Sequence, residues 1–353
     1  MQNGERKETE KIRLIDLTLA EVEKLILDMG QPKFRAKQIF EWIQKGAESF
    51  EDMPNIPKAL REELSAKAYI GAVKICEKFV SKIDETRKYL LELSDGNFIE
   101  SVLMKYEYGY TICISSQVGC LMGCKFCAST IGGKIRNLSA GEMLSQIICV
   151  QKDLGQRISN VVMMGIGEPF DNFDNVLKFI DLVNAEEGLN IGQRHISIST
   201  CGIADKILAL AEKKLQITLL ISLHAPTNEK RSEIMPINKK YPIEEVLSAC
   251  REYIKSTSRR ISFEYTLISG VNDSVEEADK LSRLLKGMLC HVNLIPVNKV
   301  KEIGFEKSSK AGIEAFRARL EKNGIAATVR REMGSDINAA CGQLRKNRNQ
   351  NIN

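Results

Sequence analysis

Three cysteines, Cys120, Cys124 and Cys127, fall within eight residues, with three residues between the first two and two between the last pair. Thiolates this close together converge on one soft metal centre. A zinc ribbon would show a second Cys or His pair downstream, and none follows. The three histidines, His195, His224 and His291, lie far from the triplet and in no ligand spacing. Three protein ligands on a four-iron cube leave one iron open, and an open iron binds and activates something. Phe126, just before the third cysteine, is placed to shield such a cluster from water. The alternative, three buried structural thiols, fits the habit of free cysteine but not this clustering.

Further polar residues recur where strands are expected to end. In Met164-Gly165-Ile166-Gly167-Glu168-Pro169 the glycines let backbone approach a ligand, and Glu168 accepts hydrogen bonds from an ammonium group. The third glycine of a dinucleotide fingerprint is missing, and a plain tight turn is the other reading. Ser199-Thr200-Cys201-Gly202, Ser222-Leu223-His224-Ala225-Pro226 and Pro296-Val297-Asn298 bring small polar groups to the same rim. They suit ribose hydroxyls, adenine edges and a carboxylate. His224, ending a strand ahead of a proline turn, reads as a ligand contact. Cys113 lies in an apolar strand and reads by itself as core. Cys341, among small residues before Gly342 on what should be a mobile tail, is harder to assign to packing. Cys76, Cys149, Cys250 and Cys290 read as core. Glu100 sits inside a strand pattern, where a carboxylate usually takes the wet face.

The elements that must position these residues follow from periodicity. To about residue 70 the chain reads as three helices: one capped near Asp16-Leu17-Thr18 and ended by Gly30, one after Pro32, one after Pro57. Lys33, Arg35, Lys37 and Lys45 form a basic face there, open to either RNA or solvent. Alternation then marks strands at 74–83, 87–93 and 97–104, with Asp95-Gly96 as a hairpin turn. Further strands are expected at 111–116, 159–164, 195–200, 216–223, 261–268 and 291–297, with helices near 140–154, 173–184, 203–213, 243–256 and 274–288. Strand–helix repetition means a parallel sheet with crossover helices, and six units are too few for a closed eight-stranded barrel. The expected fold is α/β: a partial (β/α)6 barrel (106–334) behind a helical accessory domain (1–72) and short connecting antiparallel strands (73–105), with a C-terminal segment (335–353) carrying Cys341.

Bulk composition is that of an ordinary globular protein: 353 residues, 43% hydrophobic, 27% charged, with a net charge of +5 that permits a nucleic-acid partner without demanding one. Ten irregularly spaced cysteines do not make a secreted disulfide scaffold. Met1 to Lys11 is polar and no apolar run is long enough to span a membrane, so the expectation is a cytoplasmic protein without a membrane partner. Nothing in the sequence suggests more than a monomer.

The triplet spacing resembles that of radical S-adenosylmethionine (SAM) enzymes. With Cys113-Ile-Ser-Ser-Gln-Val-Gly-Cys120, Gly165-Ile-Gly-Glu-Pro169, Ser222-Leu-His-Ala-Pro226, Met235-Pro-Ile-Asn238, Gly270-Val-Asn-Asp273 and Ala340-Cys-Gly-Gln-Leu344, the chain resembles the RlmN/Cfr family of radical SAM RNA methyltransferases from its N-terminal helices to Leu344. Pro169 is similar to the RlmN branch, where Cfr typically carries Ala; Ile166 departs from a common Met. The resemblance implies a [4Fe-4S] cluster on Cys120, Cys124 and Cys127, and SAM contacts from Gly167, Glu168, Ser199, Ser222, Leu223, His224 and Asn298. It implies that Cys341 takes a methyl from one SAM and that a radical from a second SAM activates that methyl for addition to the ring. Cys113 then resolves the adduct, leaving a Cys113–Cys341 disulfide, with Glu100 as proton acceptor, against the wet-face default. The implied substrates are an adenine of 23S rRNA at the peptidyl transferase centre and the adenosine beside the tRNA anticodon, both methylated at C2, with a flavodoxin- or ferredoxin-type electron donor. The alternatives are C8 methylation of the same rRNA adenine and, from another class, a non-catalytic metal-containing RNA-binding protein.

Overall fold

The structure, a computed structural model, describes residues 11–300 and 302–345, so the outermost parts of the two terminal segments expected from the sequence lie outside the described residues. The N-terminal helices are Leu19–Asp28, Phe34–Gln44 and Lys58–Lys67. Thr18 caps the first: its hydroxyl accepts from the Glu21 N–H, while the Glu21 carboxylate accepts from the Thr18 N–H at 2.7 Å. The buried positions Ala36, Ile39, Phe40 and Ile43 keep helical spacing, so one face of the second helix enters the core. The strands Ile12–Arg13 and Ala68–Tyr69 pair in parallel and tie the two ends of this unit together. Two residues each are too short to show alternation, and the sequence did not reveal them.

The expected basic face is largely paired: Lys33 meets Glu23 at 3.0 Å, Lys45 meets Glu41 at 3.7 Å, and the Arg35 guanidinium lies 4.7 Å from the Phe34 ring centre.

One ten-stranded sheet carries the rest. Lys74–Val80, Arg87–Glu92, Phe98–Tyr106 and Gly109–Cys113 form an antiparallel meander. Gly109–Cys113 also pairs in parallel with Ile158–Met163. Parallel pairing then continues through Ile196–Thr200, Thr218–Ser222, Ile261–Leu267 and Cys290–Pro296 to Ala327–Val329. The connecting strands are therefore one edge of the barrel sheet, because Gly109–Cys113 uses both of its edges. Ala327–Val329 stands at the end of the order opposite Lys74–Val80, so the sheet stays open.

The helices Ala140–Leu154, Phe173–Asn184, Ala204–Lys213, Ile243–Thr257 and Val275–Leu285 lie between the strands as their periodicity predicts. Asn228–Ile234 and Lys310–Lys322 are additional. One continuous apolar core runs from Leu14 of the N-terminal unit to Ala327 of the last strand.

After Val329 the chain folds back over the sheet. Asp84 accepts from the Gly334 N–H at 2.9 Å, Asp336 accepts from the Lys82 N–H at 2.9 Å, and Lys88 donates to the Asn338 carbonyl. Met333, Ile337, Ala339 and Leu344 pack against Val102, Met104, Cys113 and Ile166. The expectation of a mobile tail is corrected as far as residue 345: apolar side chains and backbone hydrogen bonds hold this segment down.

Candidate active site

The cysteine loop turns on glycine. Gly119 has φ of +76°, and a Cβ there would meet the Gly133 carbonyl oxygen at 2.0 Å. The Lys125 N–H donates to the Ile234 carbonyl and the Ile135 N–H to that of Val118, anchoring the loop at both ends. Cys120, Cys124 and Cys127 line one cavity. Burial pushes the Cys120 thiol up to about 12, and raises Cys124 and Cys127 too, each also opposed by a neighbouring thiol. Such a cavity disfavours bare thiolates and welcomes them only beside a positive centre. Among the described residues no three His, Cys, Asp or Glu side chains gather tightly enough for one metal ion. Three thiols spread around one cavity fit a cluster, whose ligands sit on separate irons, better than they fit zinc.

The same cavity is lined by Gly167, Glu168, Ser199, Ser222, His224, Asn298 and Cys341. Gly167, with φ of +113°, lies so close to Ser116 and Gln117 that a Cβ would meet both at 2.7 Å. Glu168 is buried, and its carboxylate accepts the Phe170 N–H at 2.9 Å and the Cys201 N–H at 2.7 Å. Burial nevertheless raises its pKa, and a carboxylate has lone pairs left for a further donor. His224 holds a left-handed backbone, φ of 58°. Its Nδ1 accepts the Thr266 N–H at 2.9 Å, which puts the ring proton on Nε2, and Phe126 meets the ring edge-on at 4.8 Å. Burial lowers its pKa to about 3, so the imidazole is neutral. Asn272, of the Gly-Val-Asn-Asp segment, donates to the carbonyls of His224 and Thr266 and fixes this strand end.

Leu223 is fully buried and does not line the cavity; its N–H and carbonyl are engaged with the Glu264 carbonyl and the Arg231 guanidinium. Arg231, also buried, further donates to the carbonyls of Cys201 and Ser222, so one side chain knits two strand ends.

Cys341 reaches the cavity because its segment is pinned there. Asn298 Nδ2 donates to the Cys341 carbonyl at 2.9 Å, the Ala128 N–H to the Gly342 carbonyl at 2.7 Å, and Ser129 Oγ to the Leu344 carbonyl at 2.9 Å. Cys113 is buried behind the cavity wall with its thiol pushed up to about 12, by burial first and by Cys341 second. Both thiols are free. Arg330 stands beside them, its pKa raised most by Cys341 and also by Glu264 and Cys113.

Glu100 is buried, which overturns the wet-face default. It sits 3.1 Å from Lys88 Nζ, accepts the Arg345 N–H at 2.6 Å, and has its pKa raised by burial. Val102 pairs directly with Cys113, so Glu100, two residues earlier, shares that face of the sheet. Glu100 and Cys113 do not line the cavity.

Sequence reasoning missed Glu264 and Arg330. Glu264 lines the cavity and accepts from Ser199 Oγ at 2.5 Å and Ser222 Oγ at 3.4 Å, with Arg330 Nη1 at 3.3 Å. A signal existed: Glu264 is the only charge in the apolar strand Ile261–Leu267, and a buried carboxylate needs partners.

Residues 114–282 match the radical SAM superfamily, and residues 12–70 match the ribosomal RNA large subunit methyltransferase N-terminal domain. The chain is 59% identical over 334 residues to a probable dual-specificity RNA methyltransferase RlmN of Clostridium perfringens, covering 94% of this chain and 96% of that one. It is 56% identical over 342 residues to the protein so described from Alkaliphilus oremlandii, covering 97% and 100%. The crystal structure of a radical SAM methyltransferase from Sphaerobacter thermophilus superposes with a TM-score of 0.91 at 44% identity, covering 95% of this chain and 99% of that one. Motifs, fold and likeness along the whole chain agree: the chain belongs to the RlmN family of radical SAM RNA methyltransferases.

Proposed function

We propose that the chain methylates C2 of adenosine in RNA, in 23S rRNA and in tRNA beside the anticodon, and that Cys341 carries the methyl group. The supporting observation is the meeting of Cys341 with Cys120, Cys124 and Cys127 at one cavity, although more than two hundred residues separate them in the chain. A structural metal site would not need a fourth cysteine on a separately anchored segment, which disfavours a non-catalytic RNA-binding protein. An adenine C2–H is neither acidic nor nucleophilic enough to attack a methyl sulfonium. A [4Fe-4S] cluster and SAM, when bound, supply the one-electron chemistry that such a carbon requires.

Cys120, Cys124 and Cys127 would hold the cluster. Glu168 would accept from the SAM ammonium group, Gly167 would offer close backbone, and Ser199, Ser222, His224 and Asn298 would contact the rest, while Leu223, which does not line the cavity, holds the strand end from behind. Cys341 takes a methyl on Sγ and later gives up its carbon to the ring, so each turnover consumes one SAM there and a second as radical source. Glu100, held in a buried site where a proton is retained more readily, receives the proton lost from C2. Cys113 attacks the sulfur of Cys341, breaking its bond to the transferred carbon, which takes up the thiol's proton to become the product methyl group; the Cys113–Cys341 disulfide so formed must be reduced before the next turnover. A flavodoxin- or ferredoxin-type protein would supply the electrons such a cluster needs.

In this reading residues 106–334 carry the chemistry, 335–353 the methyl-bearing cysteine, 73–105 the connection, and 1–72 part of the RNA contact. Cys341→Ala should keep its iron and its absorbance yet place no methyl on RNA in anaerobic assays. Undiminished methylation by that variant would overturn the two-cysteine scheme.

A further inference from the structure

Tyr108, at the turn between the strands Phe98–Tyr106 and Gly109–Cys113, is 68% exposed, unusual for a large aromatic side chain. It is not loose: its ring stacks on Tyr106 with centroids 5.0 Å apart and planes 5° from parallel. Tyr106 in turn packs against the satellite core that contains Cys113, Val102 and Ile166. The tight pairing of Tyr106 with Gly109 fixes the turn that presents both rings. The two tyrosines thus form a flat shelf rooted beside Cys113 and ending in solvent.

Its chemistry suits a base rather than a phosphate. Lys105 is engaged with Glu85 at 2.9 Å, and Glu107 adds negative charge at the tip. Stacking on an aromatic face needs no cation at the tip, and RNA loops offer unstacked bases to such faces. One face of Tyr108 is already used by Tyr106. A base on the free face is therefore separated by two rings from the core holding Cys113, and is not the base that reaches Cys341.

We propose that the free face of Tyr108 stacks a nucleobase flanking the adenine to be methylated, making the Tyr106–Tyr108 pair a positioning shelf for substrate RNA. The inference rests on the methyltransferase reading above. The test uses cluster-loaded full-length protein and an RNA hairpin with 2-aminopurine beside the target adenosine. Tyr108→Ala should raise the RNA KM about tenfold, leave kcat within about twofold, and abolish quenching of 2-aminopurine on binding. Tyr108→Phe should restore both. Unchanged KM and quenching in Tyr108→Ala, or a loss confined to kcat, would overturn the shelf, as would a defect that Phe does not repair. Methyl loading of Cys341 without RNA should be equal in all three proteins. Absence of RNA methylation by the unsubstituted protein would instead sink the functional reading.

Discussion

Glu264 and His224 show how single residues hold the site ready. Glu264 is almost fully buried, and Arg330 is its only cationic partner at ion-pair distance among the described residues. Glu264→Gln should therefore cost about 2 kcal/mol in urea denaturation, short of a fully buried pair because Arg330 keeps some contact with water. A change below about 0.5 kcal/mol would mean that the pair is not coupled. His224 titrates near 3 in the folded chain against 6.5 as its ordinary value. Between those values the unfolded chain binds a proton that the folded chain refuses, so acid favours unfolding. In the protein without its cluster, stability should fall by about 1.4 kcal/mol per pH unit from this residue as pH drops below 6.5. His224→Gln should lack that share of the slope, which urea midpoints at pH 6.5 and 5 would measure; equal slopes would contradict the buried neutral ring. The triplet and His224 were legible because short motifs and a proline turn announce them. Glu264 carried a signal as the lone charge of its strand, but Arg330, just past the strand Ala327–Val329, carried none, and their pairing exists only once the sheet brings them together.

The helix Ala140–Leu154 shows what one element does for the site. Ser139 caps it, and Glu142 in its first turn accepts from Arg136 at 2.7 and 2.9 Å and stands 3.2 Å from Arg13 of the N-terminal unit. One carboxylate thus joins the cysteine loop's return strand Arg136–Asn137 to the strand Ile12–Arg13 of the N-terminal unit. Ser139→Ala should cost about 1 kcal/mol and speed amide exchange only in the first turn. Glu142→Ala should cost about 2 kcal/mol, because Arg136 is left with Asp95 and Arg13 with the longer Asp16 contact at 3.9 Å, and should loosen both units. Equal effects from the two variants would contradict this division of labour. Helices like this one were legible from their apolar period. Asn228–Ile234 was not, because seven residues give two turns and no clear period; Ala327–Val329 failed for the same reason as a strand.

At the scale of the whole molecule, the C-terminal segment closes over an open sheet and sets Cys341 into a cavity built by the barrel. Sequence alone suggested a loose tail, since its small residues carry no period. The contacts that hold it come from residues as distant as Asp84 and Asn298, which no local pattern reveals. Asn298→Ala, which removes one of these hydrogen bonds, should cost about 1 kcal/mol of local closure and raise the alkylation rate of Cys341 about fivefold without changing that of Cys250. The most direct test of the central claim follows a deuterated methyl group from SAM. Mass spectrometry of cluster-loaded protein should find it on the Cys341 peptide before RNA is added, and its carbon on adenine C2 afterwards, with the peptide losing it. A deuterated methyl that reaches adenine without ever residing on Cys341 would contradict the account.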